Sequence, residues 1–163
     1  MNMKYNDTTQ AIIDRLDENN IDYRIFEHEP VTTREEAADV RENFSVDQGL
    51  KALIIKTYGG SEEHAMIVLP GDRKFAQKKV ENALGVDDFR LADPEVIEVI
   101  TDGVEIGGIP PFGSLVALQT YADEQVEDMG EVVFNAGDRR VSISISPEDY
   151  LTVEQPTVAD III

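Results

Sequence analysis

One lysine of this chain lies inside its most apolar strand-like stretch. Lys51 follows Leu50 and precedes the apolar run 52–55. A lysine in that setting either extends its ammonium group to solvent, where it discourages edge-to-edge aggregation, or directs the group into a pocket. In a pocket, an ammonium group can bind a carboxylate or a phosphate, or stabilise an oxyanion that forms during a reaction. Both interpretations are open at this point, and Lys51 is a candidate catalytic residue.

A short segment rich in glycine and proline is the second candidate. It reads Gly107-Gly108-Ile109-Pro110-Pro111-Phe112-Gly113. Adjacent prolines stiffen a backbone, whereas glycines permit positive φ and a close approach to a ligand. Such a loop can direct backbone N–H groups at a carbonyl group or an oxyanion, or it can be a rigid connection between elements. It is not a phosphate-binding P-loop, because the Gly-Lys-Ser/Thr ending is missing.

The third candidate is a turn between two predicted strands, with the sequence Asn135-Ala136-Gly137-Asp138-Arg139-Arg140. Asparagine, aspartate and glycine are turn formers, so the segment predicts a hairpin. Because the turn directly follows a predicted strand, its first three residues can also form a pocket wall. We expect Lys51 to line the largest concave pocket, with residues 107–111 facing it.

Charge is distributed unevenly along the chain. The 163 residues include 14 basic and 33 acidic ones, for a formal net charge of −19. Such a surface repels nucleic acid and anionic lipid unless positive charge is concentrated somewhere. Residues 51–90 hold seven of the basic and six of the acidic residues. A polyanion would therefore dock on this segment, where the candidate phosphate-binding residues are Arg73, Lys74, Lys78 and Lys79.

Several chemistries are excluded by residues that the sequence lacks. Cysteine is absent, which removes disulfides, thiolate metal sites and a cysteine nucleophile, and which fits a reducing cytoplasm. With only two histidines, His28 and His64, a histidine-rich metal site is also excluded. No Gly-x-Ser-x-Gly motif is present, and no apolar run approaches the roughly 20 residues of a membrane helix. We therefore expect no metal, no cofactor and no membrane partner, and catalysis by positioning and electrostatics.

The elements that must position these residues alternate between helices and strands. Periodicity and capping residues predict helices over 7–19, from a capping box at Thr32 and Thr33 to Arg41, over 73–84 and over 94–100. Asp7 or Thr8 is expected to cap the first helix. Apolar patterning predicts strands over 22–28, 50–58, 64–69, 115–119, 131–134 and 141–146. The predicted fold is α+β, a single compact domain over residues 1–163 with a mixed, mostly antiparallel sheet and flanking helices.

Five segments, in this order, resemble the YbaK-like aminoacyl-tRNA deacylases, which are related to the editing domain inserted in bacterial prolyl-tRNA synthetases. The segments are 26–37 (FEHEPVTTREEA), 50–53 (LKAL), 69–73 (LPGDR), 107–113 (GGIPPFG) and 135–139 (NAGDR). Each is weakly specific alone, but together in one chain of this length they are specific for the family. The resemblance runs from about Tyr23 to the last residue.

The resemblance implies a YbaK-like fold and trans-editing hydrolysis of the ester bond in a mischarged tRNA. It implies that Lys51 is needed for deacylation, that the glycine–proline loop holds the aminoacyl end, and that the turn forms another wall. The residues so implied are Gly107, Gly108, Ile109, Pro110, Pro111 and Gly113 in the loop, and Asn135, Ala136 and Gly137 in the turn. Water, assisted by a ribose hydroxyl of the terminal adenosine, is implied to attack the ester. The implied partners are the acceptor end of mischarged tRNA and an aminoacyl-tRNA synthetase, with no DNA, in the cytoplasm.

One position departs from the family pattern. Members often have threonine or asparagine directly after the lysine, whereas this chain has Ala52. A hydrogen bond from that side chain to the substrate would be absent here, so the amino acid removed is left open. Two other functions also stay open: a non-catalytic module that binds an amino acid, a nucleotide or a synthetase, and a hydrolase of small esters.

Overall fold

The computed structural model describes residues 5–27 and 49–163, in which helices and strands alternate. The α-helices in these ranges are α1 (Asp7–Glu18), α2 (Gln77–Leu84), α3 (Pro94–Thr101) and α4 (Pro147–Glu154). Short 3₁₀ helices lie at Ile106–Gly108, Gly113–Val116 and Glu124–Asp128. The strands are β1 (Arg24–Glu27), β2 (Leu50–Tyr58), β3 (His64–Pro70), β4 (Asp88–Leu91), β5 (Thr120–Asp123), β6 (Val132–Asn135), β7 (Val141–Ile145) and β8 (Thr157–Ala159).

The strands form two sheets. A three-stranded sheet has the order β1-β7-β6 and is antiparallel throughout. A five-stranded sheet has the order β4-β2-β3-β5-β8, in which β2 pairs antiparallel with β3 and β4, and β5 pairs parallel with β3 and β8. A parallel bridge between Gly49 and Val133 links the two sheets. The fold is therefore α+β with mixed, mostly antiparallel pairing, as predicted.

Strand alternation divides the apolar residues of the five-stranded sheet between two cores. Ile54, Met66 and Ala122 point to the main core, which also contains apolar residues of α1, α4 and the three-stranded sheet. Ile55 and Ile67 point to the other face, where Val80 of α2 and the segment 161–162 cover them. Successive residues of β2 thus face different cores, and this alternation decides where Lys51 points.

Local signals located several elements correctly. Strand β2 occupies the predicted residues, and Pro94 lies in the first turn of α3, where its missing N–H group costs no hydrogen bond. Gly85 ends α2 in a left-handed conformation, as expected of a glycine C-cap. The first helix is also confirmed, but its N-cap is Asn6, whose side chain accepts a hydrogen bond from the Thr9 amide. Neither Asp7 nor Thr8 is the cap.

The predicted helix over 73–84 begins later, at Gln77. Residues 74–76 are extended because they pair with the last residues of the chain. Phe75 forms an antiparallel bridge with Ile162, and the Lys74 carbonyl accepts the Ile163 amide at 3.0 Å. Long-range backbone hydrogen bonds thus replace the first turn of the predicted helix.

Other differences have the same kind of cause. The strand predicted over 115–119 is a 3₁₀ helix and a turn, and the strand that pairs with β3 is Thr120–Asp123. Sequence patterning predicted none of β4, α4 and β8, although Ser146 before Pro147 is an N-cap signal.

The predictions for His28 and for the capping box at Thr32 and Thr33 lie outside the described residues. Within those residues, none of the helices has the length and apolar character needed to cross a membrane.

Candidate active site

The strand register places Lys51 and Asn135 on one face. Gly49 lies opposite Val133 in a parallel bridge. Lys51 lies two residues after Gly49, and Asn135 lies two residues after Val133. Residues two apart in a strand point to the same side. Phe134, which lies between Val133 and Asn135, is part of the main core. Lys51 and Asn135 therefore share the face of their strands that points away from the main core.

Ala52, the departure from the family pattern, lies on the opposite side of β2. It is opposite Val68 in the register and packs against the main core. The side chain after the lysine therefore faces the protein interior, so Ala52 and Lys51 do not present their side chains to the same space.

Asn135 connects the turn to the glycine–proline loop. Its Nδ2 atom donates a hydrogen bond to the Gly107 carbonyl oxygen at 2.6 Å. Its Oδ1 atom lies 3.4 Å from the hydroxyl of Ser142, the residue opposite it in β7. Ser142 is fully buried, and sequence reasoning did not include it in the site. The alternation of serines with apolar residues in β7 was the available signal.

The loop and the turn approach each other closely at their glycines. The Gly137 amide donates to the Gly108 carbonyl oxygen at 2.9 Å. A Cβ atom at Gly108 would lie 3.2 Å from the Asp138 nitrogen and 3.3 Å from the Arg139 nitrogen, so backbone meets backbone at this point. Arg139 also packs over Gly107 and forms a 3.2 Å ion pair with Glu105, a second cation beside the loop that the predicted site omitted.

Helix α1 and its N-cap residue also hold the turn. The Asn6 side chain donates to the Gly137 carbonyl oxygen at 2.9 Å, and the Thr9 hydroxyl donates to the Ala136 carbonyl oxygen at 2.6 Å. Gly137 has φ of +90°, a conformation that favours glycine. The wall formed by Asn135, Ala136 and Gly137 is therefore fixed by its contacts with α1 and with the loop.

The Lys51 ammonium group reaches the start of residues 73–79, the basic segment that contains Arg73, Lys74, Lys78 and Lys79. Its Nζ atom donates to the Arg73 carbonyl oxygen at 3.0 Å. Arg73 itself donates to the Ile163 carbonyl oxygen at 3.2 Å. On α2, Lys78 pairs with Glu81 at 3.4 Å, and Lys79 pairs with Asp160 at 2.9 Å. Lys74 is exposed and lies in the short stretch between Arg73 and α2. That these four residues contact phosphate stays a prediction.

A cavity of about 250 Å³ lies on the main-core side of the loop, between α1 and α3. Ile109 and Pro110 line it, together with Met66 and Phe112. Lys51 is not one of its described lining residues, because β2 directs Lys51 away from the side of Ile54 and Met66. The structure therefore does not place Lys51 in this cavity, contrary to the expectation of one pocket shared with residues 107–111. The cavity is also lined by Asp7 and Asp102. Because the chain has a net charge of −19, two carboxylates do not identify a ligand for this cavity.

Metal ligands are not clustered in the part of the chain that the structure describes. Over residues 5–27 and 49–163, no group of three or more histidine, cysteine, aspartate or glutamate side chains could hold an ion. His64 lies at the start of β3, opposite Lys56 in β2. That the protein works without metal stays a prediction. The chemistry that this face can offer is a cation, a side-chain amide group and backbone hydrogen-bonding groups.

Known proteins share this fold and a part of this sequence. A solved structure described as a candidate trans-editing enzyme for prolyl-tRNA synthetase superposes with a TM-score of 0.81 at 24% identity, over 98% of this chain and 99% of that one. The multifunctional Ser/Thr-tRNA deacylase ProXp-y of Escherichia coli (strain K12) is 31% identical over 94% of this chain and 92% of its own length. The prolyl-tRNA editing protein ProX of Acetoanaerobium sticklandii is 26% identical over 88% of each chain.

The family model of the aminoacyl-tRNA editing domain matches residues 28–153, which include β2, the glycine–proline loop and the turn. The match therefore contains all three groups of candidate residues. This protein belongs to the aminoacyl-tRNA editing domain family.

Proposed function

We propose that this chain is a trans-editing aminoacyl-tRNA deacylase, a hydrolase of the ester bond that joins a wrong amino acid to tRNA, with residues 1–163 forming one editing-type domain. The observation that carries the proposal is the shared face of Lys51 and Asn135, with Asn135 bonded to the glycine–proline loop, in a chain of the aminoacyl-tRNA editing family. The names of the two relatives, a tRNA deacylase and a tRNA editing protein, support this chemistry.

Lys51 is the proposed catalytic residue. Its contact with the Arg73 carbonyl holds the ammonium group where the strand face meets the basic segment. A fixed positive charge there can bind the terminal phosphate of the acceptor end, or stabilise the negative charge that develops on the ester oxygen. Water is the proposed nucleophile, assisted by a ribose hydroxyl of the terminal adenosine. This route involves no covalent enzyme intermediate and no metal.

The loop and the turn are proposed to hold the aminoacyl end. The residues proposed to do so are Gly107, Gly108, Ile109, Pro110, Pro111, Gly113, Asn135, Ala136 and Gly137. The Gly108 amide already donates to the Glu105 carbonyl oxygen at 2.8 Å, so we propose the amides of Gly107 and Ile109 as the backbone contacts to the substrate. Such a pocket acts as a second sieve, because it admits a wrong amino acid and excludes the correct one.

The basic segment is the proposed docking face for the acceptor end of tRNA. Arg73 adjoins Lys51, and the side chain of Lys78 is 89% exposed, so both positions are open to a phosphate backbone. Phosphate contacts set position rather than sequence preference. An aminoacyl-tRNA synthetase that delivers the mischarged tRNA is the second proposed partner.

A deacylation assay with the purified protein tests the proposal. The panel of mischarged tRNAs begins with seryl and threonyl esters, which the name of the E. coli relative suggests, and extends to alanyl and cysteinyl esters. We expect Lys51→Ala to reduce kcat about 100-fold with an unchanged melting temperature, because the ammonium group acts on the transition state and contributes little to the core.

The matched control is Lys56→Ala. Lys56 lies on the same strand but on its opposite face, and it pairs with Glu63 at 2.8 Å. The control should retain the wild-type rate. Absence of hydrolysis across the whole panel, or hydrolysis of small esters alone, would contradict the proposed function. Equal rates for the Lys51 and Lys56 variants would remove Lys51 from the mechanism.

A further inference from the structure

Helix α4 carries two buried polar side chains that both bond to the far end of the glycine–proline loop. The Tyr150 side chain is fully buried, and its hydroxyl donates to the Pro111 carbonyl oxygen at 2.6 Å. The Glu154 side chain is 1% exposed and accepts hydrogen bonds from the Ser114 amide at 3.2 Å and the Ser114 hydroxyl at 2.5 Å. Residues four apart in a helix lie on one face, so a single face of α4 holds the loop.

Thr120 extends this network to the amide of Gly113, which lies between Pro111 and Ser114. Its hydroxyl donates to Glu154 Oε2 at 2.6 Å and accepts from the Gly113 amide at 3.0 Å. Arg15 of α1 lies 3.5 Å from Glu154 Oε1 and donates to the Ser114 hydroxyl at 2.6 Å. The carboxylate of Glu154 therefore joins α1, α4, β5 and the end of the loop.

A buried carboxylate is an expensive way to join elements, because its charge loses its hydration unless several donors replace the water. An apolar side chain in the same place would pack as well but would not fix the direction of any peptide group. Glu154 and its neighbours fix three: the Pro111 carbonyl by Tyr150, the Gly113 amide through Thr120, and the Ser114 amide directly. The network therefore determines the orientation of the backbone as well as the packing.

The loop is thus held at both of its ends. The carbonyl groups of Gly107 and Gly108 bond to the turn at Asn135 and Gly137, and the far end bonds to α4. Between the two ends lie Pro110 and Pro111, whose rings restrict φ. We therefore expect a shift at the α4 end to be transmitted to the end that meets the turn.

We infer that Tyr150 and Glu154 are positioning residues for deacylation, which act by holding the glycine–proline loop against the turn that carries Asn135. The inference rests on the proposed function for the reaction that they support. Neither residue lies on the face shared by Lys51 and Asn135, so each acts through the loop and makes no contact with substrate.

Two conservative variants test this role in the full chain. Tyr150→Phe keeps the ring that packs edge-on against Phe112 and removes only the hydroxyl bonded to Pro111. Glu154→Gln keeps the size of the side chain and removes its charge. We expect each to lower kcat for mischarged tRNA about tenfold with KM unchanged, because the loop acts on the ester while the tRNA body binds elsewhere.

Matched controls separate positioning from a general loss of stability. Asp123→Asn alters another fully buried carboxylate, which accepts the Gln125 amide at 2.8 Å and the Ile161 amide at 2.9 Å, away from the loop. Tyr121→Phe removes the hydroxyl of a tyrosine that packs against the core containing Ile55 and Ile67 and whose hydroxyl is hydrogen-bonded to Glu62. Both controls should keep the wild-type kcat below their melting temperatures. If Tyr150→Phe and Glu154→Gln, measured while folded, also keep the wild-type kcat, the inference is overturned.

Amide hydrogen exchange provides a readout that does not depend on activity. In Glu154→Gln the amides of Gly113 and Ser114 should exchange faster, and so should the Gly137 amide, which donates to Gly108 at the other end of the loop. Asp123→Asn should leave all three unchanged. Faster exchange confined to Ser114 would show that the network does not position the loop, and would overturn the inference. If the wild-type protein deacylates nothing, the proposed function fails, whereas the exchange experiment still decides whether α4 holds the loop.

Discussion

The side-chain amide of Asn135 donates a hydrogen bond to the Gly107 carbonyl oxygen at 2.6 Å and joins two segments that are 28 residues apart. In Asn135→Asp the side chain keeps its shape but presents an oxygen atom to that carbonyl oxygen, and the two repel. We expect kcat for deacylation to fall about tenfold and the free energy of unfolding to fall by about 1–2 kcal/mol. Steady-state kinetics and urea unfolding measure the two effects.

The control for that prediction is Asn19→Asp, since the Asn19 side chain also donates to a carbonyl oxygen, that of Arg15 at 2.7 Å, but on the surface of α1. Its activity should match the wild type. Because a protonated carboxyl group can donate to Gly107, the rate of the Asn135 variant relative to wild type should rise as the pH falls toward about 4. A constant ratio across pH would contradict the hydrogen-bond explanation.

Gly108 should tolerate no side chain. A Cβ atom there would lie 3.2 Å from the Asp138 nitrogen, and backbone atoms cannot move aside as a flexible side chain can. We expect Gly108→Ala to lower the free energy of unfolding by about 1–3 kcal/mol and to reduce kcat/KM, because the loop is forced away from the turn. The control is Gly130→Ala, where a Cβ atom would meet no described atom within 4 Å and φ is not positive. A stable, fully active Gly108→Ala would show that the close approach is not required.

The basic residues of α2 should act on tRNA binding alone. We expect Lys78→Glu combined with Lys79→Glu to raise KM for every mischarged tRNA by a similar factor. Hydrolysis of a minimal aminoacyl-adenosine should hardly change. Each phosphate contact that is lost should also flatten the salt dependence by about one unit of log–log slope.

The matched control for that double variant is Lys56→Glu combined with Arg90→Glu. It changes the net charge by the same amount on the opposite face of β2, where Lys56 and Arg90 are neighbours in the register. If both double variants raise KM equally, net charge and not a docking face explains the effect.

Tyr150 should make the protein sensitive to alkali. Burial, and then the charge of Glu154, raise the pKa of its hydroxyl well above the usual value of 10.0. The folded protein therefore retains this proton at a pH where the unfolded chain releases it. Stability from this group is complete below pH 10 and is lost as the pH rises above it. We expect urea unfolding between pH 9 and 11 to show a shallower loss of stability in Tyr150→Phe than in the wild type, with Tyr58→Phe, which is exposed, as the control.

Sequence reasoning succeeded where the determinant of structure is local. The continuous apolar residues of β2, proline in the first turn of α3 and glycine after α2 each act within a few residues, so their elements could be predicted. The glycine–proline loop and the turn were identified for the same reason, since their unusual composition is visible without any partner. The family, too, was evident from short segments in order.

Tertiary structure decided every feature that depends on a distant partner. Helix α2 starts at Gln77 because Phe75 pairs with Ile162, and the strand beside β3 is Thr120–Asp123 because of its register with Met66 and Val68. Which face of β2 carries Lys51 depends on the cores that form on its two sides.

The hydrogen bonds from α4 to the loop depend on a helix that sequence patterning did not predict. Sequence by itself therefore indicated which residues are candidates for chemistry and located the short elements that local signals define. Only the folded chain decided which of those residues meet, because backbone pairing and core burial between distant segments override local preference.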